Sequence, residues 1–290
     1  MFIDALFSGI TLGGMYALVA MGLTLQYGVS RIMNLAYGEF LVAAAFCAYL
    51  LMLSFQVTPL WGLLIIVPAA FALNWLVYRF LLTPLVKRAK TRAALEVDSI
   101  LATFGLLFIV QGVMQVIFGG NYHSYSYLNE PVRILDSVVA LNRLLALSFA
   151  AVFGIGFYLA LTRTRLGTAI RAVAVDPVAA RLVAIDVRWA AALAFAAGGA
   201  LAAAGGVLVS MFLTFNANMG VIFTMKALIV IIMGGVGNVL GALVAGLLLG
   251  VAESFIATYV DPGLTIAVTY GVFLLVLLVR PTGLFGRAAR

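Results

Sequence analysis

Apolar runs of membrane-spanning length recur along this chain from end to end, separated by short polar breaks. An α-helix needs about 20 predominantly apolar residues to cross the hydrocarbon of a bilayer. On that rule the pattern predicts spans at about 5–26, 37–56, 60–82, 99–118, 142–162, 189–213, 222–236, 239–258 and 264–280. The weak member is the run around 221–236, which is short, carries Lys226 and ends in Gly234-Gly235-Val236-Gly237. It is either a crossing or a broken, re-entrant segment packed within protein. The predicted fold is therefore all-α and polytopic, a single membrane domain over 1–290 with eight to ten helices and no soluble domain.

One stretch breaks the greasy pattern. Gly167 to Asp186, GTAIRAVAVDPVAARLVAID, is a polar and basic island that belongs in water. Within it Asp176-Pro177 predicts a helix start: a carboxylate accepts from the free amides of a first turn, and proline needs no amide proton there. A short helix from Pro177 to about Ala184 places Val178, Leu182 and Ile185 on one side, with Arg181 and the preceding Arg171 offering charge. The island reads either as an amphipathic connector lying at the headgroups or as a docking helix.

Composition agrees with a membrane chain, since 65% of residues are hydrophobic and 9% are charged. The net charge of +7 does not point to nucleic acid, because the basic residues cluster as the positive-inside rule demands. Lys87, Arg88, Lys90 and Arg92 form one group, Arg163, Arg165, Arg171, Arg181 and Arg188 a second, and Arg280, Arg287 and Arg290 a third. With these on the cytoplasmic side, nine crossings put the amino terminus outside and the carboxyl terminus inside. The start MFIDALFSG has no basic leader and carries Asp4, so the first span is expected to be retained. The loop Gly119 to Leu141 has the aromatic and polar mixture of an outer or interfacial surface.

Catalytic chemistry is missing from the pattern. The lone Cys47 excludes a disulfide framework and the single His123 makes no metal site. There is no G-x-x-x-x-G-K-[ST] phosphate loop, so ATP hydrolysis would need another subunit. Charges inside the apolar runs remain: Glu39, with Arg31 in the preceding turn, and Lys226 with Glu253. Both sets read as structural ion pairs ahead of direct substrate contact, because an unpaired ion at the bilayer centre costs about 3 kcal/mol or more. Small residues repeat at four-residue spacing, as in Gly9/Gly13/Ala17, Ala194/Gly198/Ala202/Gly206 and Gly246/Gly250, predicting close helix contacts.

The island GTAIRAVAVDPVAARLVAIDV resembles the cytoplasmic coupling loop of membrane subunits of ABC importers for branched-chain amino acids, the high-affinity leucine/isoleucine/valine permease family. YGVSRIMNLAYGEF (Tyr27 to Phe40), MGGVGNVLGALVAGLLLG (Met233 to Gly250) and RPTGLFG (Arg280 to Gly286) resemble the same family in the same order. Tyr37 departs from it, standing where the N-x-A-H-G-E pattern has histidine. The resemblance implies a non-catalytic permease of the bacterial inner membrane, with no cofactor of its own. Its partners would be a second homologous permease or a copy of itself, two ATPases that bind the ATP, and a soluble binding protein. It assigns ATPase coupling to Arg171, Asp176, Pro177, Val178, Arg181 and Leu182 within a loop of about 163–188. Asn34, Glu39, Gly237 and Asn238 become candidate pathway or gating residues, although the two asparagines suit loop caps equally. Relatives also carry urea or short amides, which leaves cargo open. A competing reading is an ion-coupled secondary carrier or channel using Glu39, Lys226 and Glu253; it has no need of an exposed docking helix.

Overall fold

The computed structural model describes residues 2–89, 91–134 and 137–286. Three residues of the basic clusters, Lys90, Arg287 and Arg290, lie outside them. Among the described residues, eight helices are long and apolar enough to cross a membrane. The first are α1 (Phe2–Ser30), α2 (Tyr37–Phe55), α3 (Pro59–Val77) continued by α4 (Thr83–Arg88), and α5 (Arg92–Phe118). Between α3 and α4 lies a π-helical turn, Tyr78–Leu82. Its cause is local: Pro84 has no amide proton to continue the ladder, and Thr83 donates instead to Tyr78 O.

After α5 a two-stranded hairpin, β1 (Pro131–Ile134) and β2 (Ser137–Ala140), adds a small sheet that an all-α reading did not include. Then come α6 (Leu141–Arg163), the short α7 (Arg165–Val175) and α8 (Pro177–Leu182), α9 (Val187–Ser210), α10 (Gly220–Gly234), α11 (Val239–Tyr259) and α12 (Thr265–Val279).

Close packing follows the small residues. Helix α9, mostly alanine and glycine, sits at the centre against α1, α2 and α3, with 83% of its apolar window buried. Small side chains let all three neighbours approach its backbone, which in lipid replaces the missing hydrophobic drive between helices. The α1–α11 seam is tighter still: a Cβ on Gly250 would lie 2.2 Å from Gly13 N. Gly250→Leu is therefore expected to prise α1 from α11 and remove most folded protein, since overpacking alone typically costs about 1–3 kcal/mol. Wild-type yield of monodisperse protein in mild detergent would refute this.

Helix α10 differs from the seventh span read in the sequence. It has 15 residues, too few to cross alone, and is led in by a non-helical segment, 211–219. Just before that segment, Ser210 meets Tyr125, and Met211 O accepts from Asn142 at the start of α6. At the other end, Met233 O and Gly234 O accept from Leu284 and Phe285 of the tail beyond α12. Residues 211–234 thus join opposite ends of the bundle and, beside the eight long helices of the described residues, make one further pass that is broken. The break is of the kind tolerated where irregular backbone is buried in protein or lines a cavity.

Candidate functional site

The polar island folds as expected at its start and differently at its end. Thr164 caps α7 by accepting from Gly167 N at 3.0 Å. Gly167 is required there, since a Cβ would lie 2.4 Å from Ala160 O. Asp176 caps α8, its Oδ1 accepting from Val178 N at 2.8 Å and Ala179 N at 3.1 Å, with Pro177 in the first turn. Helix α8 stops at Leu182, two residues short of the expected end, because Ala184 turns into the left-handed region at φ 60°.

That turn corrects the expected contact face. Ile185 is folded back against a buried apolar cluster that includes Ile170, Ala190 and Phe195 rather than offered with Val178 and Leu182. The same core holds Ile170 and Val173 of α7 and Ala180 of α8, so the loop is mounted rigidly on the spans. What it presents outward is Val175, Val178, Leu182 and Val183, with Leu182 85% exposed. Arg181 shares that exposed surface. Arg171 is exposed as well, with its guanidinium 3.4 Å from Thr162 O and 3.5 Å from Thr168 Oγ1, and it lines a cavity of about 620 Å³. This cavity, also lined by Gly28, Tyr158, Gly237 and Asn238, opens beside the loop. Asn238 caps α11 through Gly241 N at 3.0 Å and donates to Phe285 O at 3.2 Å.

A second polar locus lies inside the bundle, where α2 and α10 begin. The segment 31–36 leaves the helical ladder, and its backbone groups are met by two threonines that the sequence reading did not single out. Thr103 Oγ1 donates among neighbouring carbonyls that include Met33 O and accepts from Leu35 N; Thr224 Oγ1 accepts from Gly38 N at 2.8 Å and lies 3.2 Å from Leu35 O. Tyr37, fully buried, lies with its hydroxyl 2.7 Å from Val19 O and 3.1 Å from Gly198 O, tying α2 to α1 and α9. Asn34 is buried and donates to Gln26 Oε1 at 3.2 Å.

Glu39 overturns an expectation. It makes no pair with Arg31: that residue is exposed at the far end of the segment, 3.4 Å from Ala174 O, whereas Glu39 is wholly buried. The intervening non-helical residues carry the two apart. Neither Glu39 oxygen has a hydrogen-bond partner.

Lys226 and Glu253 do meet. Lys226 Nζ lies 2.8 Å from Glu253 Oε2 and 2.7 Å from Tyr16 Oη, and the Tyr16 hydroxyl donates to the same carboxylate oxygen at 2.8 Å. Thr269 donates to Glu253 Oε1. Four helices, α1, α10, α11 and α12, are thereby joined by one network. Where α6 begins and α9 ends, a cavity of about 540 Å³ is lined by Tyr125, Asn142, Arg143 and Ser210. Burial pushes the Tyr125 hydroxyl up to about 12, so it stays protonated beside Ser210 at physiological pH.

Similarity to known proteins runs the length of the chain. The permease protein LivH of the high-affinity branched-chain amino acid transport system of Salmonella typhimurium is 30% identical, covering 99% of this chain and 96% of its own. BraD of the corresponding system of Pseudomonas aeruginosa is 29% identical with the same coverage. A probable LivH of Methanocaldococcus jannaschii is 28% identical over 93% of this chain and 88% of its own. Among solved structures, PsaBC from Streptococcus pneumoniae in complex with Fab matches in fold, with TM-score 0.51 at 11% identity over 98% of this chain and 93% of that one. The family described as branched-chain amino acid transport system / permease component matches residues 5–279, and this multi-pass membrane chain belongs to it.

Proposed function

We propose that the chain is the path-forming, non-catalytic subunit of an ABC importer that takes up branched-chain amino acids. It pairs with a second permease, two ATPases that hold the ATP, and a soluble binding protein. It resides in the bacterial inner membrane with the amino terminus outside and the carboxyl terminus in the cytoplasm. The observation that carries this reading is the island: an exposed apolar helix, α8, capped by Asp176 and mounted on the spans through Ile170, Val173 and Ala180. Apolar side chains offered to water from a rigid mount suit a protein partner. Lys226 and Glu253 are committed to each other, which leaves Glu39 alone of the three residues an ion-coupled carrier would use.

The test is uptake in proteoliposomes carrying both permeases and both ATPases, with receptor outside and ATP inside. Accumulation of leucine, isoleucine or valine that requires both additions is expected. Uptake of urea or short amides in their place would overturn the cargo, and uptake driven by an ion gradient without ATP would overturn the class. Orientation is read in the same vesicles: Asn121→Cys should react with an impermeant thiol reagent added on the receptor side, and Lys87→Cys should not.

A further inference from the structure

Helix α5 carries a stripe that does not suit lipid. Phe104, Phe108, Gln111 and Gln115 fall at helical spacing on one face, three of them exposed and Gln111 partly so. Gln111 Nε2 donates to Asn218 Oδ1 at 2.9 Å, and Asn218 belongs to the non-helical lead-in to α10. An exposed amide pair and irregular backbone within a crossing are tolerated only in protein or beside water, because hydrocarbon leaves their polar groups unsatisfied. Two residues beyond Asn218, Gly220 covers Glu39: a Cβ there would lie 2.3 Å from Glu39 Cδ. The carboxylate is thus sealed behind the first turn of α10, at the first turn of α2, with both oxygens lacking a donor.

We infer that this α5 stripe and Asn218 form the wall of the translocation path that cargo touches, and that Glu39 behind Gly220 accepts the cargo's ammonium group. The inference rests on the amino-acid reading of the cargo. Phe104 and Phe108 offer apolar surface to an aliphatic side chain, the amides of Gln111 and Asn218 offer donors and acceptors to its polar end, and Glu39, packed against Gly220 two residues beyond Asn218, is the one carboxylate among the described residues that is buried with neither oxygen bonded. The lead-in, over 216–219, is the element that uncovers it, since non-helical backbone moves without breaking a helical ladder.

Accessibility tests the wall. In a Cys47→Ser background, Gln111→Cys in proteoliposomes should react with a small charged thiol reagent at least about tenfold faster than Leu159→Cys on the outer face of α6, because a charged reagent is excluded from hydrocarbon. Equal unreactivity overturns the wall. Transported amino acid should slow the reaction at Gln111→Cys, and absence of protection overturns cargo contact. Glu39→Gln, isosteric and neutral, should lower uptake per assembled complex by about tenfold or more while receptor-stimulated ATP hydrolysis persists, as loss of a charged hydrogen-bond partner implies. Glu39→Asp should fall between. Unchanged uptake in Glu39→Gln, or failure of both variants to assemble, makes Glu39 structural and overturns its role. Should wild-type vesicles accumulate none of the three amino acids, the cargo reading itself fails, whereas the contrast between Gln111→Cys and Leu159→Cys needs no cargo and still decides the wall.

Discussion

A permease bearing Leu182→Asp is expected to insert in the membrane, keep its fold and lose its ATPases on purification, with uptake falling in parallel. Leu182 is 85% exposed at the end of α8 and contributes nothing to the core, so the change leaves the fold alone. A docking groove that receives Val178 and Leu182 would have to bury the new carboxylate without a partner, an effective penalty of several kcal/mol per ion in proteins. Asp176→Ala makes a graded comparison. It removes the oxygen that accepts from Val178 N and Ala179 N, a capping loss of about 1 kcal/mol, and should weaken co-purification without abolishing it. The measurement is the ratio of ATPase to permease after affinity purification in mild detergent. If the Leu182→Asp protein retains its ATPases and transports normally, α8 is a surface connector and the coupling assignment fails.

The second large effect is expected at the buried pair. Lys226→Met strands Glu253, whose side chain is 4% exposed, with only the Tyr16 and Thr269 hydroxyls for compensation. Breaking a buried pair by removing one partner typically costs about 3–5 kcal/mol. Because the network joins α1, α10, α11 and α12, the loss should appear as a large fall in thermal stability and in yield. Lys226→Met combined with Glu253→Gln removes both charges and should recover much of that loss, since replacing a whole pair is often near neutral. Thermal unfolding in detergent of the two single variants and the double variant measures the coupling. A double variant as unstable as the sum of the singles would show that the two charges do not stabilise each other.

How much of this was legible depends on the range of the interaction. The eight long helices follow from runs of apolar residues, and the cap of α8 from Asp176, satisfied within three residues of itself. The pairing of Lys226 with Glu253 was legible because two opposite charges in apolar runs have few alternatives. Arg31 and Glu39 looked equally matched and are not paired, because the chain between them leaves the helix. Tyr16 and Thr269 gave no signal, since a lone hydroxyl in an apolar helix looks the same whether it bonds its own backbone or a carboxylate on another helix. Gln111 and Gln115 were visible as residues, but their meaning required Asn218, more than a hundred positions away, beside one of them.

The sequence by itself determined that this is a membrane chain, roughly where its long apolar helices fall, the place of its polar loop and its family. Those are properties of composition and of neighbours within a turn or two, where hydrocarbon thickness and capping chemistry act. Only the tertiary structure decided that the crossing at 211–234 is broken, that Ile185 turns inward, and that Glu39 is left without a donor behind Gly220. Each of these is set by which distant backbone groups are already satisfied and how closely glycine lets two helices approach, and neither quantity exists until the helices have packed.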